Sequence, residues 1–324
     1  MTAPRNLRRG VLLWPALALA LLASAGTANA QAPVALGEAH GFAVLASAAV
    51  SNAGPTVVNG DLGISPGTSL SGFPPGIVNR TIHTTGSAAP HAQLDVGAAY
   101  VDSAGRAATD VLPTQLGGST LPPGVYVSDS GGFKLGGTLT LDAQRDGHAV
   151  FIFKVATTLD VPTAGSRIEL IESAQACNVF WQVASDATLG AGTAFVGSIL
   201  ALGDITAGSG ATVDGRLLSR KGSVALNSGT VTAPLCDRGR PRLKINNVPR
   251  GCAASFESRF KVSDDIGVTT AVYLDGRRLK RSSKWWFTAR IGAKGMPAGR
   301  HTLRAVSRDD SGNRRVKVAR FRRC

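Results

Sequence analysis

The chain is short of the residues that build large aromatic cores and charged surfaces. Its 324 residues include 2 Met, 3 Tyr, 4 Trp and 11 Phe, and charged residues make up 17%, below the ~25% usual for soluble domains. Histidine is scarce too. His40, His83, His91, His148 and His301 show no H-x-x-x-H or Cys/His spacing, which excludes the common zinc sites and leaves no metal or cofactor motif. Long apolar runs are missing beyond the N-terminus. The run Val11–Leu22 falls short of the ~20 residues of a membrane span. It follows Arg5, Arg8 and Arg9 and precedes Ala28-Asn29-Ala30, so residues 1–30 read as an export signal cleaved near Ala30. Catalytic constellations are missing as well. Gly63-Ile64-Ser65-Pro66-Gly67 fits G-x-S-x-G, but an oxyanion donor is needed after the serine and Pro66 has no N–H, so the segment reads as a turn and the chain as a non-enzyme. Asp309-Asp310-Ser311-Gly312-Asn313 lacks the loop and terminal Glu of an EF-hand and also reads as a turn.

What is present divides sharply. Gln31–Leu235 holds 9 Lys+Arg against 14 Asp+Glu, whereas Cys236–Cys324 holds 23 against 7, so the basic character belongs to the tail alone. The expected organisation is a signal over 1–30, a first domain over 31–235, a linker over 236–241 and a second domain over 242–324. Four cysteines in an exported chain favour disulfides, with three possible connectivities. Cys252 and Cys324 bracket the tail and are the favoured pair, a closure contributing about 4 kcal/mol in the chain-entropy model. Cys177 and Cys236 remain, flanking the repeated segment described next.

The first domain is rich in Gly, Ala, Ser, Thr and Val and punctuated by turn formers, a pattern of many short strands. Three echoes stand near its end: A-T-L-G-A-G-T from Ala187, D-I-T-A-G-S-G from Asp204 and S-V-A-L-N-S-G from Ser223, at spacings of 17 and 19. Such a period is one coil of a solenoid. The frames V-N-G-D-L from Val58 and V-D-G-R-L from Val213 place Val58, Gly60 and Leu62, and Val213, Gly215 and Leu217, on one side at period two. Further strands are expected at 124–127, 138–141, 149–155 and 168–171, with Val150–Phe153 the most apolar. One helix is expected over 88–104, where Leu94, Ala98 and Val101 fall at i, i+4 and i+7. The tail reads as six or seven strands in an immunoglobulin-type sandwich, with Asp275-Gly276 a hairpin turn and Trp285, Trp286 and Phe287 in the core.

Several motifs carry a resemblance: G-F-A-V-L-A (41–46), N-A-G-P-T-V-V-N-G-D-L-G-I-S-P-G (52–67), G-F-P-P-G (72–76), L-P-P-G-V-Y (121–126), G-H-A-V-F-I-F (147–153) and A-C-N-V-F-W-Q-V (176–183). On these, the first domain resembles the secreted ice-binding protein family. That resemblance implies a mainly β fold, a discontinuous right-handed β-solenoid with one flanking α-helix, followed here by the immunoglobulin-like sandwich. It also implies adsorption to an ice crystal surface through a flat face bearing a T-A/G-x-T/N tetrad. T-A-G-S occurs at 163–166 and 206–209, with weaker copies at 189–192 and 225–228. The implied ice-contacting residues are Thr163, Ser166, Thr193, Thr206, Gly208, Ser209, Ala225, Asn227 and Ser228. Uncharged Thr, Ser and Ala suit such a face, because β-branched Thr holds methyl and hydroxyl in a fixed array.

The tail resembles immunoglobulin-like modules of exported bacterial proteins through Y-L-D-G-R-R-L (273–279) and A-G-R-H-T-L (298–303). Its basic residues alternate through strands such as 314–323, as a solvent face would. Anionic cell-wall polymer or lipid headgroups are the expected partners, rather than nucleic acid, and the chain is expected to be a secreted or surface-associated monomer. The rival reading is a surface adhesion or structural module that retains the solenoid without ice activity.

Overall fold

The structure is a computed structural model that describes residues 31–324 except 163, 238, 250, 265–267, 293–295 and 310–312. The signal segment therefore lies outside the described residues.

Residues 42–232 wind into coils with three walls, and every strand pairing among them is parallel. One wall is a separate seven-stranded sheet; the other two belong to one fifteen-stranded sheet. Ala194–Ala201 and Thr212–Ser219 each serve both of those walls. The start of Ala194–Ala201 pairs with Arg167–Ile171 and its end with Val179–Val183. The bend falls at Gly197, whose φ is +110°, stacked on Gly215. A Cβ on Gly215 would lie 1.9 Å from the Gly197 carbonyl oxygen, so the corner closes only without a side chain.

The stack is discontinuous. Phe42–Ala46 pairs with Thr212–Ser219, with Val44 opposite Leu217, so the first coil lies against one of the last. Asp61–Ile64 and Ile82–His83 extend the stack beyond it. The chain then returns to the opposite end, where Asp110–Leu112 pairs with Gly124–Ser128. Helix α1 (Ala88–Gly105) makes that return. Its 18 residues span about 27 Å at 1.5 Å per residue, the height of between five and six strands at ~4.8 Å.

The helix forms as expected but presents another face. Leu94 is 71% exposed, Val101 68% exposed, and Ala98 also faces solvent. The buried side is Ala89, Ala92, Val96, Gly97, Ala99 and Ser103, which meets Leu45, Ile152, Phe180, Leu200 and Leu218 of the wall beneath. Small side chains win because the helix axis lies close to a flat sheet, where a Leu would hold it away.

Within the solenoid the alternation expected of both five-residue frames holds: Val58, Leu62, Val213 and Leu217 are all buried. One inward column runs Tyr126, Phe153, Trp181, Ile199, Leu217, Val44, Leu62 from coil to coil. Phe153 and Trp181 stack with centroids 3.9 Å apart. The Trp181 indole N–H donates to the Val196 carbonyl at 3.1 Å, so the buried ring keeps its polar end satisfied.

The tail forms two antiparallel sheets around one core. Arg242–Asn246, Ser255–Ser263 and Trp286–Gly292 form one; Arg277–Ser282, Val268–Leu274, Gly299–Asp309 and Arg314–Arg323 form the other. Asp275 and Gly276, both at positive φ, make the expected hairpin turn. Only Phe287 of the expected aromatic trio is core: it stacks on Phe260, while Trp285 and Trp286 are 48% and 72% exposed. Phe287 and Trp286 are adjacent on one strand, so they must face opposite ways. Arg314–Arg323 departs from an in/out alternation as well. Val316 and Val318 are exposed beside their basic neighbours, because this is an edge strand and only its end, at Phe321, covers the core.

Candidate functional site

The seven-stranded wall carries most of the candidate residues. Its inward residues Phe133, Leu159, Ala187, Ile205, Val224 and Val50 are buried. The outward column one residue on reads Lys134, Asp160, Thr188, Thr206, Ala225, Ser51, Ser71. From Thr188 to Ser71 this column is uncharged, over about 19 Å at the strand spacing of ~4.8 Å. A second outward column follows across the buried Leu189, Ala207 and Leu226: Gly190, Gly208, Asn227 and Ala53.

This register corrects the period. Ala187 pairs with Ile205, not Asp204, so the coil spacing there is 18 rather than 17, while the following spacing of 19 stands. A slip of one residue in a strand exchanges its two faces, and that slip hid Thr188, which lies beside Thr206 and is exposed. Ser51 and Ser71 were missed for another reason. They come from the early coils, which the discontinuous stack brings beside Ala225. The cue was present only in the shared inward alternation of the two chain ends.

The two T-A-G-S copies occupy different places. Thr206 and Ala207 lie on a strand, with Gly208 and Ser209 at the corner after it. Residues 164–166 lie in the corner between Leu159–Val161 and Arg167–Ile171, and Thr163 is outside the described residues. Ser166 and Thr193 are both fully buried, which removes them from any contact surface. They precede the paired residues Arg167 and Ala194 and belong with Ala211 and Thr56 in an inward corner column. The Ser166 hydroxyl accepts the Gly137 N–H at 3.1 Å, a polar role inside the stack. Ser228 has φ +50° and its hydroxyl donates to the Ala53 carbonyl at 3.3 Å, so it closes the corner. Ser209 and Asn227 are exposed beside the strand column.

Charge is kept to the edges of this wall. Asp186 accepts the Asp204 N–H at 2.8 Å and Asp204 accepts the Ser223 N–H at 2.7 Å. These carboxylates thus cap the next coil at the entering corner, one after another along the stack. The neighbouring wall is less uniform. Its outward column Ala194, Thr212, Thr230, Val57, Ile77 is neutral, but the ion pair Arg167–Glu169 stands at one end and Asp214 in the middle. Burial raises the Asp214 carboxyl above its usual range despite nearby Arg216. The remaining wall is covered by α1.

Two features fix the coils that carry the candidate residues. Arg216 is fully buried, and its guanidinium donates to the carbonyls of His40 at 2.8 Å and Pro234 at 2.9 Å and to the Ser198 hydroxyl at 3.3 Å. Burial lowers it to about 10, with Asp214 acting in the opposite direction, so it remains charged near neutrality. A disulfide joins Cys177 to Cys236, and a second joins Cys252 to Cys324.

Asp309 and Asn313 close a turn at the end of the strand Gly299–Asp309: the Asn313 N–H donates to Asp309 Oδ1 at 2.7 Å and the Asp309 N–H to the Asn313 carbonyl at 3.1 Å. Asp310, Ser311 and Gly312 between them lie outside the described residues.

Comparison with known proteins agrees with this geometry. The Ice-binding-like family model matches residues 44–232. An ice-binding protein of Nostoc sp. (strain HG1) is 44% identical over 181 residues, covering 55% of this chain and 66% of that protein. Ice-binding protein 1 of Shewanella frigidimarina (strain NCIMB 400) is 32% identical over 209 residues, which cover 55% of this chain but 23% of that longer protein. A crystal structure of an ice-binding protein from an Antarctic biological consortium superposes with a TM-score of 0.60 at 43% identity, covering 64% of this chain and 93% of that one. All but the first two residues of the opening strand Phe42–Ala46 and all seven strands of that wall fall inside the matched residues, and the chain belongs to the Ice-binding-like family.

Proposed function

We propose that the protein adsorbs to ice through the seven-stranded wall and so restrains crystal growth and recrystallisation. The observation that carries this reading is the uncharged outward column Thr188, Thr206, Ala225, Ser51, Ser71, in register on five adjacent strands. Small side chains on a sheet present a flat surface, and restricted Thr rotamers lower the ordering cost of contact. Each ordered water contributes little, so affinity comes from many positions acting together. Charged groups would hold water in other orientations, and here they stand at the margins. The test uses the chain from Gln31 onward, following ice crystal shape, freezing hysteresis and recrystallisation. Faceted crystals and arrested growth are expected; unfaceted growth at high protein concentration overturns the reading and favours a structural or adhesive solenoid.

The protein acts outside the cell in this proposal. Residues 1–30 have the composition of an export signal, and two disulfides suit an oxidising compartment. Among the described residues no helix is long and apolar enough to cross a membrane. The tail, an immunoglobulin-like sandwich in this reading, holds anionic cell-wall polymer. Exposed Trp285 and Trp286 stand beside Lys280, Arg281 and Lys284, and the basic strands Arg277–Ser282 and Arg314–Arg323 form the two edges of one sheet. Retention on isolated cell wall should fall steeply as salt rises; salt-independent retention, or none, removes this role.

A further inference from the structure

Three carboxylates from different parts of the chain converge where the tail meets the solenoid. Asp237, Asp264 and Asp309 each bring a carboxylate oxygen within 4.8 Å of the other two. Asp237 lies in the segment leaving the solenoid, Asp264 follows Ser255–Ser263, and Asp309 ends Gly299–Asp309.

Asp309 is the telling member. It is 3% exposed, and while Oδ1 accepts the Asn313 N–H, its buried Oδ2 accepts no hydrogen bond. Asp237 is arranged the same way. Its Oδ1 accepts the Gly239 N–H at 2.8 Å, and its buried Oδ2 accepts none. Among the described residues, neither Asp237 nor Asp309 forms an ion pair with Lys or Arg. Arg240 and Arg242 line the open cleft beside Asp264. A buried carboxylate oxygen that accepts no hydrogen bond and faces other carboxylates is costly unless a cation compensates it.

We propose that Asp237, Asp264 and Asp309 bind one calcium ion that fastens the tail to the solenoid. The ligand set is all oxygen, which selects a hard divalent cation, and calcium tolerates the irregular geometry of three separate segments better than magnesium does. The fastening follows from how Asp237 is held. Its N–H donates to Gln175 Oε1 at 2.9 Å, its carbonyl accepts from Gln175 Nε2 at 3.2 Å, and its neighbour Cys236 is bonded to Cys177. Asp237 is therefore fixed to the solenoid, whereas Asp264 and Asp309 belong to the tail. Asn313 Nδ2 already bridges the same junction by donating to the Asp237 carbonyl at 3.0 Å.

The test is calorimetric titration of calcium chloride into the metal-free chain from Gln31 onward, with magnesium as a second titrant. One site per chain is expected, with a dissociation constant of about 10⁻⁴ to 10⁻³ M, as in extracellular modules. Asp309→Asn keeps the shape and the Asn313 contact but removes the charge. It should weaken calcium binding at least about tenfold, since a ligand charge is lost. It should also melt above the wild type in chelator, because repulsion is relieved, and lose the rise in Tm that calcium gives the wild type. Asp264→Asn should lose binding in the same way, which guards against a folding defect peculiar to position 309. No saturable heat from the wild type, or undiminished heat from both variants, overturns the site and leaves the cluster as carboxyls sharing a proton.

Discussion

Thr188 stands directly beside Thr206 on adjacent strands of the seven-stranded wall, and both side chains face outward. Thr188→Tyr and Thr206→Tyr should each reduce freezing hysteresis several-fold, because a bulky ring breaks the flatness of the column. Stability should change by less than about 1 kcal/mol, as for most exposed positions. Thr212→Tyr on the neighbouring wall is the matched comparison and should leave hysteresis unchanged. The reverse pattern would move the contact surface to that wall.

Arg216 ties His40, at the start of the solenoid, to Pro234, at its exit. Arg216→Met removes the donors and leaves two inward carbonyls without them, at a cost of about 1–3 kcal/mol for each unsatisfied group. Urea unfolding should show a midpoint lowered accordingly. An unchanged midpoint would mean that the surrounding carbonyls find other donors.

The packing of α1 predicts a contrast within one helix. Ala92→Leu should destabilise the solenoid by about 1–3 kcal/mol, since buried Ala92 has no room for a larger side chain. Leu94→Ser, at a site 71% exposed, should change stability by less than about 0.5 kcal/mol. Thermal unfolding of both variants gives the comparison, and equal effects would contradict the helix face described.

The tail carries a pH-sensitive pair. His301 Nδ1 lies 2.7 Å from Asp275 Oδ2, and its Nε2 lies 2.9 Å from the Pro297 carbonyl. The Asp275 contact, then the Pro297 carbonyl, raises the His301 value, with burial and Arg323 working against the rise. For Asp275 burial acts upward, but the Thr302 N–H and His301 bring it below the usual range. A raised histidine binds its proton more tightly in the folded state, so its contribution is full below ~6.5, the unfolded value, and lost as pH climbs through the higher folded one. A lowered carboxylate contributes above ~3.9 and loses that contribution as pH falls through its lower folded value. The Tm of the tail transition should therefore fall between mildly acidic and alkaline pH, and His301→Gln should flatten that slope. A slope unchanged in the variant would assign it to other groups.

Phe287 and Trp286 complete the set. Phe287→Ala should cost about 3–5 kcal/mol as a buried aromatic truncation, whereas Trp286→Ala should leave stability near wild type and weaken retention on cell wall. Loss of stability in both would return Trp286 to the core.

Much of the solenoid was legible because its inward alternation is strict: Val58, Leu62, Val213 and Leu217 face the core as their spacing requires. The register of the site was not, and the reason is geometric. Corners entering the seven-stranded wall differ in length, three residues separating Ala201 from Ile205 but four separating Ser219 from Val224, so no single period keeps the letters in phase with the stacked strands. The face of α1 was hidden because spacing alone cannot rank a stripe of Leu94 and Val101 against one of Ala89, Ala92, Val96 and Ala99. Size decides it, and only the flat wall beneath makes small size an advantage. The convergence of Asp237, Asp264 and Asp309 depends on how two chain segments meet and has no local signature.

Asn59 donates to Thr232 across 173 residues of sequence, one of many contacts made where the early coils dock onto the late ones. A solenoid stacked in chain order could assemble coil by coil as the chain emerges, each new coil resting on the last. Here the first coils rest on one another but join the rest of the stack only when residues from Thr212 onward are available. Assembly is therefore tied to high contact order, with the entropy of closing that long loop met before the contacts reward it. A chain truncated before Thr212 would leave Phe42–Ala46 with an open strand edge.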